Sequence, residues 1–479
     1  MDLYPKNTKF VICLGFHGER IKQVASLIAI ENQQKVIFTS TNSWNDPKKG
    51  LSNTLLDSMD FLNSEFIFHA VDTLVTEKIC ENLLNIPPDT IVVAKPLTSG
   101  EYRIQIGNEM QKKHLSPNSD TPAYIGLAKI NGNKKFWDAI QLNAKIRPED
   151  GETIGLNFQN LKVLTLTDEE WIDTGNLIGL QIAQKKYKQT DIILERSNEA
   201  IWNIGSKMYK FHLDEKFIKN RVARAKSLYP YVPDVKKEGK NLYSYERVEG
   251  RTLSNCNLQI FEKFLKFLTE FWQLNAINNP PGLETIEYRE FYEEKTKNRV
   301  AEFLVQRSDY NVIKINGKKV ERIEDLLLRV PWASLSKITR VRCHGDLHPD
   351  NVIAINSGED FKLLDWRQDL AGSVSAFGDL YYDIAKIWHG LIVDHRTVSE
   401  NRFNVNICEM QGTYDIDLVD KKIAWLVELK EYISINSLDL VKSELITALV
   451  FLNIAALHHR PYNEFLFLLG HDMLNNIII

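Results

Sequence analysis

The sequence has few of the features that would place a protein in a specialised class. Its 479 residues include five cysteines, none in C-x-x-C spacing, which disfavours a disulfide framework and a zinc ribbon. The 59 Lys and Arg residues are outnumbered by 63 Asp and Glu residues, and the formal net charge is −4. A chain without a basic excess lacks the electrostatic field that nucleic-acid binding requires, so we expect no nucleic-acid partner.

Long apolar runs are also absent. The longest run, residues 445–457, is interrupted by Thr447 and Asn453, and it predicts a buried helix rather than a membrane span. The first ten residues, MDLYPKNTKF, lack the apolar core of a signal peptide. Together with the dispersed cysteines, these features predict a cytoplasmic protein with no membrane span.

The pattern of apolar residues changes near residue 187. In residues 1–187, short β-branched runs alternate with helical patterns, which predicts an α/β domain with a mainly parallel sheet. Residues 188–250 read as strands around one helix, and residues 251–479 as mostly helical, with helices from Tyr381 to the end. An Asn-Gly pair at residues 316–317 predicts a small hairpin within the helical part.

The nine residues CHGDLHPDN, from Cys343 to Asn351, concentrate groups that can bind metals or transfer protons. Cys343, His344 and His348 offer three zinc ligands, but no fourth Cys or His lies nearby in the sequence. The oxygen-rich remainder of the segment suits magnesium better.

An apolar run downstream of this segment ends at Asp365. Phosphoryl transfer uses one Asp as the base, and an Asn and a second Asp as magnesium ligands. The order Asp346, Asn351, Asp365 therefore fits phosphate chemistry, with a short hairpin bringing the last two together.

Three motifs in this region resemble the aminoglycoside phosphotransferase and choline kinase superfamily, whose fold is similar to that of protein kinases. The motifs are HGDLHPDN (344–351), LLDWR (363–367) and GDLYYDIA (378–385). The resemblance implies a two-lobed α+β domain that uses ATP and Mg²⁺, with a small-molecule alcohol as acceptor. It implies Asp346 as catalytic base and Asn351 and Asp365 as magnesium ligands.

The resemblance also assigns roles around the loop. His344 is expected to fix the loop through a backbone hydrogen bond, and His348 to pack within it. Cys343, on an apolar strand, is expected to be buried and inert. Asp379 and Asp383 either order the loop from the following helix, or cap that helix and lie on a solvated face.

The nucleotide is expected to bind in residues 188–250, the smaller lobe. A strand lysine would contact the phosphates, the segment RSNEA (196–200) would form the phosphate loop, and backbone groups near residue 247 would contact adenine. These candidates are Lys210, Ser197, Asn198, Glu246 and Val248. The loop contains no glycine, and the helix after the lysine contains no Glu to pair with it. Glu215, at the helix start, is the nearest candidate for that Glu.

Residues 11–19, 66–73 and 171–176 resemble the Rossmann-like nucleotidyltransferases that act on sugar phosphates and phosphocholine. The resemblance implies that Asp72 and Asp173 hold magnesium at a nucleoside triphosphate. The family's glycine-rich first loop and the PKxL-like segment after it have no counterpart here. We therefore expect an incomplete nucleotidyltransferase domain whose sheet lacks a central strand.

These observations favour an ATP- and Mg²⁺-dependent kinase for choline, an amino alcohol or a sugar, serving bacterial surface polysaccharide or lipopolysaccharide biosynthesis. Choline would require a cation-binding wall from Trp366 and Trp388, which alternatively belong to the core. Two other hypotheses remain open. One is a CTP- or UTP-type nucleotidyltransferase acting on a phosphorylated headgroup or sugar, and the other is a catalytically silent nucleotide-binding protein.

Overall fold

The computed structural model describes residues 1, 3–41, 45–46, 49–62, 64–117, 119–156, 160–167, 170–186, 198–274, 285–417 and 420–479. The chain divides into two compact units, residues 1–191 and 192–479. Throughout the described residues, no helix is both long and apolar enough to cross a lipid bilayer.

The first unit mixes strands and helices along the chain. Its elements are β1 (Lys9–Leu14), α1 (Gly18–Glu31), β2 (Lys35–Ser40), α2 (Leu51–Leu56), β3 (Glu65–His69), β4 (Thr73–Val75), α3 (Glu77–Asn85), β5 (Thr90–Ala94), β6 (Gly100–Ile106), β7 (Glu109–Leu115), β8 (Ala123–Asn131), α4 (Lys134–Asn143), β9 (Lys162–Thr165), β10 (Trp171–Asp173) and α5 (Leu177–Lys186).

The main sheet of the first unit is mostly antiparallel, so the expectation of a mainly parallel sheet is wrong. Its order is β7-β6-β8-β5-β9, with β3 paired to β8. The long strand β8 lies between β3 and β5 and runs antiparallel to both, and β6 and β7 form a hairpin. Parallel pairing is found in β5–β9 and in β1–β2, which form their own two-stranded sheet.

The side chains of the central strands point alternately to the two faces of this sheet, and an apolar core lies on each face. Ile91 and Val93 of β5 pack into one apolar cluster, with Phe136 and Trp137 of α4. Val92 of β5 packs into another, with the side chains of α3. Successive side chains of a strand point to opposite faces, so a strand buried on both faces is apolar throughout.

The second unit begins with strands and continues mainly with helices. Its elements are β11 (Glu199–Ile204), β12 (Lys207–His212), α6 (Glu215–Leu228), β13 (Lys236–Lys237), β14 (Leu242–Glu246), β15 (Arg251–Thr252), α7 (Leu258–Phe271), α8 (Ile286–Arg289), α9 (Lys295–Gln306), β16 (Lys314–Ile315), β17 (Lys318–Lys319), α10 (Ile323–Arg329), α11 (Trp332–Leu335), β18 (Arg340–Arg342), β19 (Val352–Ile355), β20 (Asp360–Leu363), β21 (Phe377–Asp379), α12 (Leu380–Ile392), α13 (His395–Ser399), β22 (Phe403–Cys408), β23 (Gln411–Ile416), α14 (Asp420–Ile435), α15 (Leu440–Ala455) and α16 (Tyr462–Ile478).

Two parts of this unit share one apolar core. The sheet β11-β12-β14-β13 is antiparallel throughout, and α6 packs against it through Ile218 and Val222. The same cluster continues into α7, α12, α15 and α16. The apolar run near residues 445–457 is thus largely a helix buried in protein, as its composition predicts.

Hairpins account for the remaining strands. The predicted Asn-Gly turn joins β16 to β17, with positive φ at Asn316 (47°) and Gly317 (80°), as a two-residue hairpin turn requires. The expectation of uninterrupted helices from Tyr381 onward is wrong, because β22 and β23 form a hairpin at residues 403–416. Its first strand, FNVNIC, alternates apolar and polar residues, which is a strand signal.

Arg224 of α6 ties the two parts of the second unit together. It is fully buried, and its guanidinium donates to backbone carbonyl oxygens of Cys343, His344, Arg367 and Ser375. A planar group with five donors can satisfy carbonyls from separate segments that no single strand or helix would join.

We predict that Arg224→Met lowers the free energy of unfolding of the second unit by about 3–4 kcal/mol, since several buried carbonyls lose their donor. Urea unfolding followed by tryptophan fluorescence measures the change. Lys226→Met, an exposed position on the same helix, is the control and should stay within about 0.5 kcal/mol. Equal stability of the two variants would contradict the role given to Arg224.

Candidate active site

A buried carboxylate holds the loop that follows β18. Asp383 of α12 is fully buried and accepts the backbone N–H of His344 at 2.8 Å and of Gly345 at 2.6 Å. Trp272 donates its indole N–H to the same carboxylate at 3.1 Å. Three donors on one buried carboxylate satisfy a group that would otherwise be costly to desolvate. Burial nevertheless raises the pKa of Asp383 above its ordinary value.

Asp379 has a different structural role at the start of the same helix. It is the N-cap of α12, where it accepts the backbone N–H of Tyr381, and it also accepts the hydroxyl of Tyr292 at 2.7 Å and the N–H of Thr339 at 3.1 Å. Of the two alternatives raised by the sequence, Asp383 therefore orders the loop and Asp379 caps the helix. Neither lies on a solvated face, because both are fully buried.

The histidines of the loop make structural contacts. His344 is fully buried, and its Nδ1 accepts the backbone N–H of Asp346 at 3.2 Å. His348 donates from Nε2 to the carbonyl of Val393 at 3.1 Å. Cys343 is buried with its thiol 3.6 Å from the Asp379 carbonyl. Within the described residues, Cys343 and His344 take part in no cluster of metal-binding side chains, so the three zinc ligands considered from the sequence do not come together. His348 instead lies with Asp350 and His395, and the ligand atoms of these three side chains are within 4.8 Å of one another.

The expected base, Asp346, faces a lysine of the next helix. Lys386 of α12 places its Nζ 2.8 Å from Asp346 Oδ1. Burial would raise the pKa of Asp346, but the adjacent ammonium prevails and holds this pKa well below its ordinary range. Asp346 is therefore an ionised carboxylate at neutral pH.

The two expected magnesium ligands lie at the two ends of one hairpin. Asn351 immediately precedes β19, and Asp365 follows β20 by two residues. The N–H of Leu364 donates to the carbonyl of Asn351 at 2.7 Å, which closes the hairpin base. Asn351 Nδ2 donates to the carbonyl of Asp346 at 3.0 Å, and Asp365 has a left-handed backbone with φ of 58°.

Lys210 pairs with Asp365 rather than with a helix glutamate. Lys210 Nζ contacts Asp365 Oδ1, and Arg221 Nη1 of α6 lies 3.3 Å from the same oxygen. Although burial opposes it, the two cations lower the pKa of Asp365 to about 2. Glu215 is exposed at the start of α6 and has no ion pair with Lys210 among the described residues.

The other nucleotide-binding candidates are less closely gathered. The side-chain amide of Asn198 lies 3.2 Å from Nε2 of His212, the last residue of β12, two residues after Lys210 on the same strand. Glu246 is the last residue of β14 and accepts the hydroxyl of Ser206, and Val248 lies between β14 and β15. Ser197 lies outside the described residues.

In the first unit, the structure brings Asp72 and Asp173 together. Asp72 Oδ2 and Asp173 Oδ1 lie 3.0 Å and 3.1 Å from the point where a Cβ atom of Gly175 would stand. The pairing of β4 with β10, with Thr73 opposite Asp173, sets this approach. Asp173 also accepts the side chain of Asn176 at 2.9 Å.

Comparisons with known proteins agree with the geometry of the second unit. Residues 221–413 match the model of the phosphotransferase enzyme family. This match confirms the resemblance of the second unit to phosphotransferases that was drawn from the motifs. No curated protein sequence matches the chain.

Solved structures similar to the chain include proteins that match each part. Choline kinase from Cryptosporidium parvum is 13% identical, with a TM-score of 0.31 over 63% of this chain and 93% of that chain. An aminoglycoside phosphotransferase from Streptomyces rimosus, bound to ADP and streptomycin, is 16% identical, with a TM-score of 0.30 over 57% and 87%. CTP:phosphocholine cytidylyltransferase from Streptococcus pneumoniae is 10% identical, with a TM-score of 0.28 over 38% and 78%.

Several residues of the site were not identified from the sequence. Lys386 follows directly after the GDLYYDIA motif, so its place next to a catalytic loop could have been suspected. Arg221 and Arg224 fall on the same helical stripe as the buried Ile218, Val222, Ala225 and Leu228. A charged side chain on an apolar stripe signals a buried polar contact, and this signal was available.

The proposed cation-binding wall is not formed. Trp366 is buried and donates its indole N–H to the Arg221 carbonyl at 2.9 Å. Trp388 is also buried, and Lys430 Nζ lies 5.0 Å from its ring centre. Both tryptophans are core residues, the alternative that the sequence left open.

We predict that Asp383→Asn loosens the loop, because an amide offers one acceptor oxygen where the carboxylate serves two backbone N–H groups. The free energy of unfolding should fall by about 2–4 kcal/mol, and the amides of His344 and Gly345 should exchange hydrogen faster. Hydrogen exchange with mass spectrometry measures this. Asp360→Asn, on the exposed face of β20, is the matched control. In this variant the amides of His344 and Gly345 should exchange hydrogen as slowly as in the wild type.

Proposed function

We propose that the second unit is an ATP- and Mg²⁺-dependent kinase that transfers the γ-phosphoryl group of ATP to the hydroxyl of a small-molecule alcohol. The observation that carries the proposal is the geometry around the loop. Asp346, Asn351 and Asp365 come from one loop and one hairpin, and Lys210 reaches Asp365 from the strand-rich part. The family match of residues 221–413 supports the same reaction class.

The donor set suits magnesium. Lys210 and Arg221 both contact Oδ1 of Asp365, which leaves Oδ2 as the carboxylate oxygen for a cation. Asn351 donates from Nδ2 to the loop, so Oδ1 is the amide atom that can bind a metal. Oxygen ligands of this kind are those that Mg²⁺ prefers, so Asp365 and Asn351 would hold the ion, which would supply positive charge to offset the negative charge of the nucleotide phosphates.

The residues of the chain divide the reaction between them. Asp346 accepts the proton of the acceptor hydroxyl while the hydroxyl oxygen forms a bond to the γ-phosphorus. The bond from that phosphorus to the bridging oxygen breaks, and ADP leaves with the electron pair. Lys210 and Arg221 offset the negative charge of the donor phosphates, and Asp383 keeps the loop in place while this happens.

We predict that Asp346→Asn lowers acceptor-dependent ADP formation by about 10²–10⁴-fold, the range for loss of a general base. Removal of magnesium with EDTA should abolish the same activity. A coupled assay for ADP, run with alcohols of several classes, gives both results. Asp325→Asn, an exposed carboxylate of α10, is the control and should retain wild-type turnover. Turnover that survives Asp346→Asn, or that needs no metal, would contradict the proposal.

A second candidate concerns the first unit. The approach of Asp72 and Asp173 at Gly175 favours a divalent cation there, hence a nucleoside triphosphate and nucleotidyl transfer to a phosphorylated headgroup or sugar. With the kinase, this would give two consecutive steps, phosphorylation and activation. Such a pair would suit the cytoplasmic stage of bacterial surface polysaccharide or lipopolysaccharide biosynthesis.

For this second candidate, we expect pyrophosphate release from CTP or UTP in the presence of a phosphorylated acceptor, and its loss in Asp173→Ala. Asp120→Ala, an exposed carboxylate of the same unit, is the control. No pyrophosphate with either nucleotide would restrict the chain to phosphoryl transfer. Absence of both activities, with nucleotide binding retained, would favour a silent nucleotide-binding protein.

A further inference from the structure

Three cationic side chains gather on the helical side of Asp346. Lys386 contacts Asp346 itself at 2.8 Å. Arg367 donates from Nη1 to the hydroxyl of Tyr382 at 3.0 Å, and its Cζ lies 5.4 Å from the ring centre of Phe291. Lys295, at the start of α9, places its Nζ 4.5 Å from the centre of the same ring. Together these side chains form a basic cluster of Lys295, Arg367 and Lys386.

The titration of neighbouring groups reports a positive field around the basic cluster. Burial raises the pKa of Tyr382, yet Lys295, Arg367 and Lys386 together bring this pKa below its ordinary value. Burial lowers the pKa of Lys295 to about 8, and the nearby Arg367 and Lys386 act in the same direction. The lowered pKa of the Tyr382 phenol indicates excess positive charge around it, whereas the lowered pKa of the Lys295 ammonium reflects burial first and the neighbouring cations second.

The chain supplies too little negative charge to balance this cluster. Asp346 pairs with Lys386, and Asp369 is the second carboxylate near Arg367. Lys295 Nζ has no ion pair with any residue that the structure describes, although the residue is partly buried. Like charges held together in a partly buried place cost stability, and a bound anion would offset that cost.

The donor phosphates have their own cations. Lys210 and Arg221 stand at Asp365, on the strand-rich side, where the nucleotide is proposed to bind. The basic cluster stands at Asp346, on α9 and α12, where the acceptor hydroxyl must lie to give up its proton. Each of the two catalytic carboxylates thus has a separate set of cations, one for the donor and one for the acceptor.

We propose that the acceptor is an anionic alcohol, a hydroxyl compound that also carries a carboxylate or a phosphate. This inference rests on the proposed kinase function of the same site. Arg367 and Lys295 would bind the anionic group, since guanidinium and ammonium groups form charge-assisted hydrogen bonds with both kinds of anion. The hydroxyl would then face Asp346, with Lys386 between the base and the anion.

A second basic region of the unit is a weaker candidate for the same anion. A cavity of about 150 Å³ adjoins Gly390 and Pro349 and is lined in part by Arg402, Lys421 and Lys422. Each of these cations already has a partner: Arg402 pairs with an exposed aspartate, Lys422 with a buried one, and Lys421 with a backbone carbonyl. No proposed base lines the cavity, so it offers no route to phosphoryl transfer.

The test compares acceptors that share a skeleton and differ in charge. The first series is glycerol, D-glycerate, glycerol 3-phosphate and ethanolamine, and the second is glucose, glucuronate, glucose 1-phosphate and glucosamine, with choline added. ADP formation is measured for the full chain with Mg²⁺ and ATP. We expect the highest kcat/KM among the anionic members. The glycerate and glucuronate arms report a carboxylate site, and the two phosphate arms report a phosphate site.

Lys295→Met tests the basic cluster directly, because it keeps an apolar stem over Phe291 and removes the charge. We expect KM for the preferred anionic acceptor to rise about tenfold or more, with kcat within about threefold, and KM for its neutral analogue to change less than twofold. Lys297→Met, two residues along α9 and paired with Glu293, is the matched control and should leave the preference unchanged. Lys295→Glu should shift the preference toward ethanolamine or glucosamine.

The outcomes separate this inference from the kinase proposal. Turnover that depends on Asp346 but is highest for choline, ethanolamine or a neutral alcohol would overturn the anionic acceptor and leave the kinase intact. Turnover independent of Asp346 would overturn the kinase itself.

If no member of the series is phosphorylated, calorimetry with glucuronate, glucose 1-phosphate and inorganic phosphate on the full chain with ADP and Mg²⁺ decides. Saturable binding lost in Lys295→Met supports the inference, whereas no binding, or binding lost only in Lys421→Met, overturns it.

Discussion

One face of α12 determines the shape of the candidate active site. Asp383 accepts the backbone N–H groups of His344 and Gly345, and Lys386, three residues on, pairs with Asp346. One further turn along, Gly390 has no side chain, and a Cβ atom there would lie 2.4 Å from Pro349 and 2.7 Å from His348. Residues three and four apart share a face of a helix, so the helix and the loop run side by side and meet at each turn. A change in the position of α12 would therefore move Asp346, Lys386 and the end of the loop that carries Asn351 together.

Charge is distributed around this framework in two sets. Asp365 lies between Lys210 and Arg221, and Asp346 lies beside Lys386 with Arg367 nearby. Both carboxylates are thereby kept ionised, as their proposed roles of metal ligand and general base each require. The arrangement also explains how a helix without glutamate can serve a kinase-like lobe. Arg221 occupies that helix, and the partner of Lys210 comes from the hairpin end instead.

The sequence predicted the local parts of this site better than the contacts between distant segments. The loop and the hairpin could be predicted because Asp346, Asn351 and Asp365 lie within twenty residues of one another and their types fit one reaction. The pairing of β8 between β3 and β5 could not, because alternation reports which residues are buried and does not report strand direction. The contacts of Arg224 could not be predicted because the carbonyls that it binds lie more than a hundred residues further along the chain. The place of Lys295 could not be predicted either, because Asp346 and Lys386 are distant from it in the sequence. The alternation in the first strand of the β22–β23 hairpin, by contrast, does indicate a strand.

The acceptor side shows why resemblance alone is a poor guide to substrate. Loop motifs specify the donor chemistry, whereas the acceptor pocket is built from helices whose sequence varies with the substrate. Here α9 and α12 bring Lys295 and Lys386 toward the base, and both tryptophans considered for a cation site are buried in the core. A quaternary ammonium or aminoglycoside placed there would meet ammonium and guanidinium groups of its own sign. An anion at the same place would relieve their mutual repulsion, which is why the side chains around Asp346 support the proposal of an anionic acceptor.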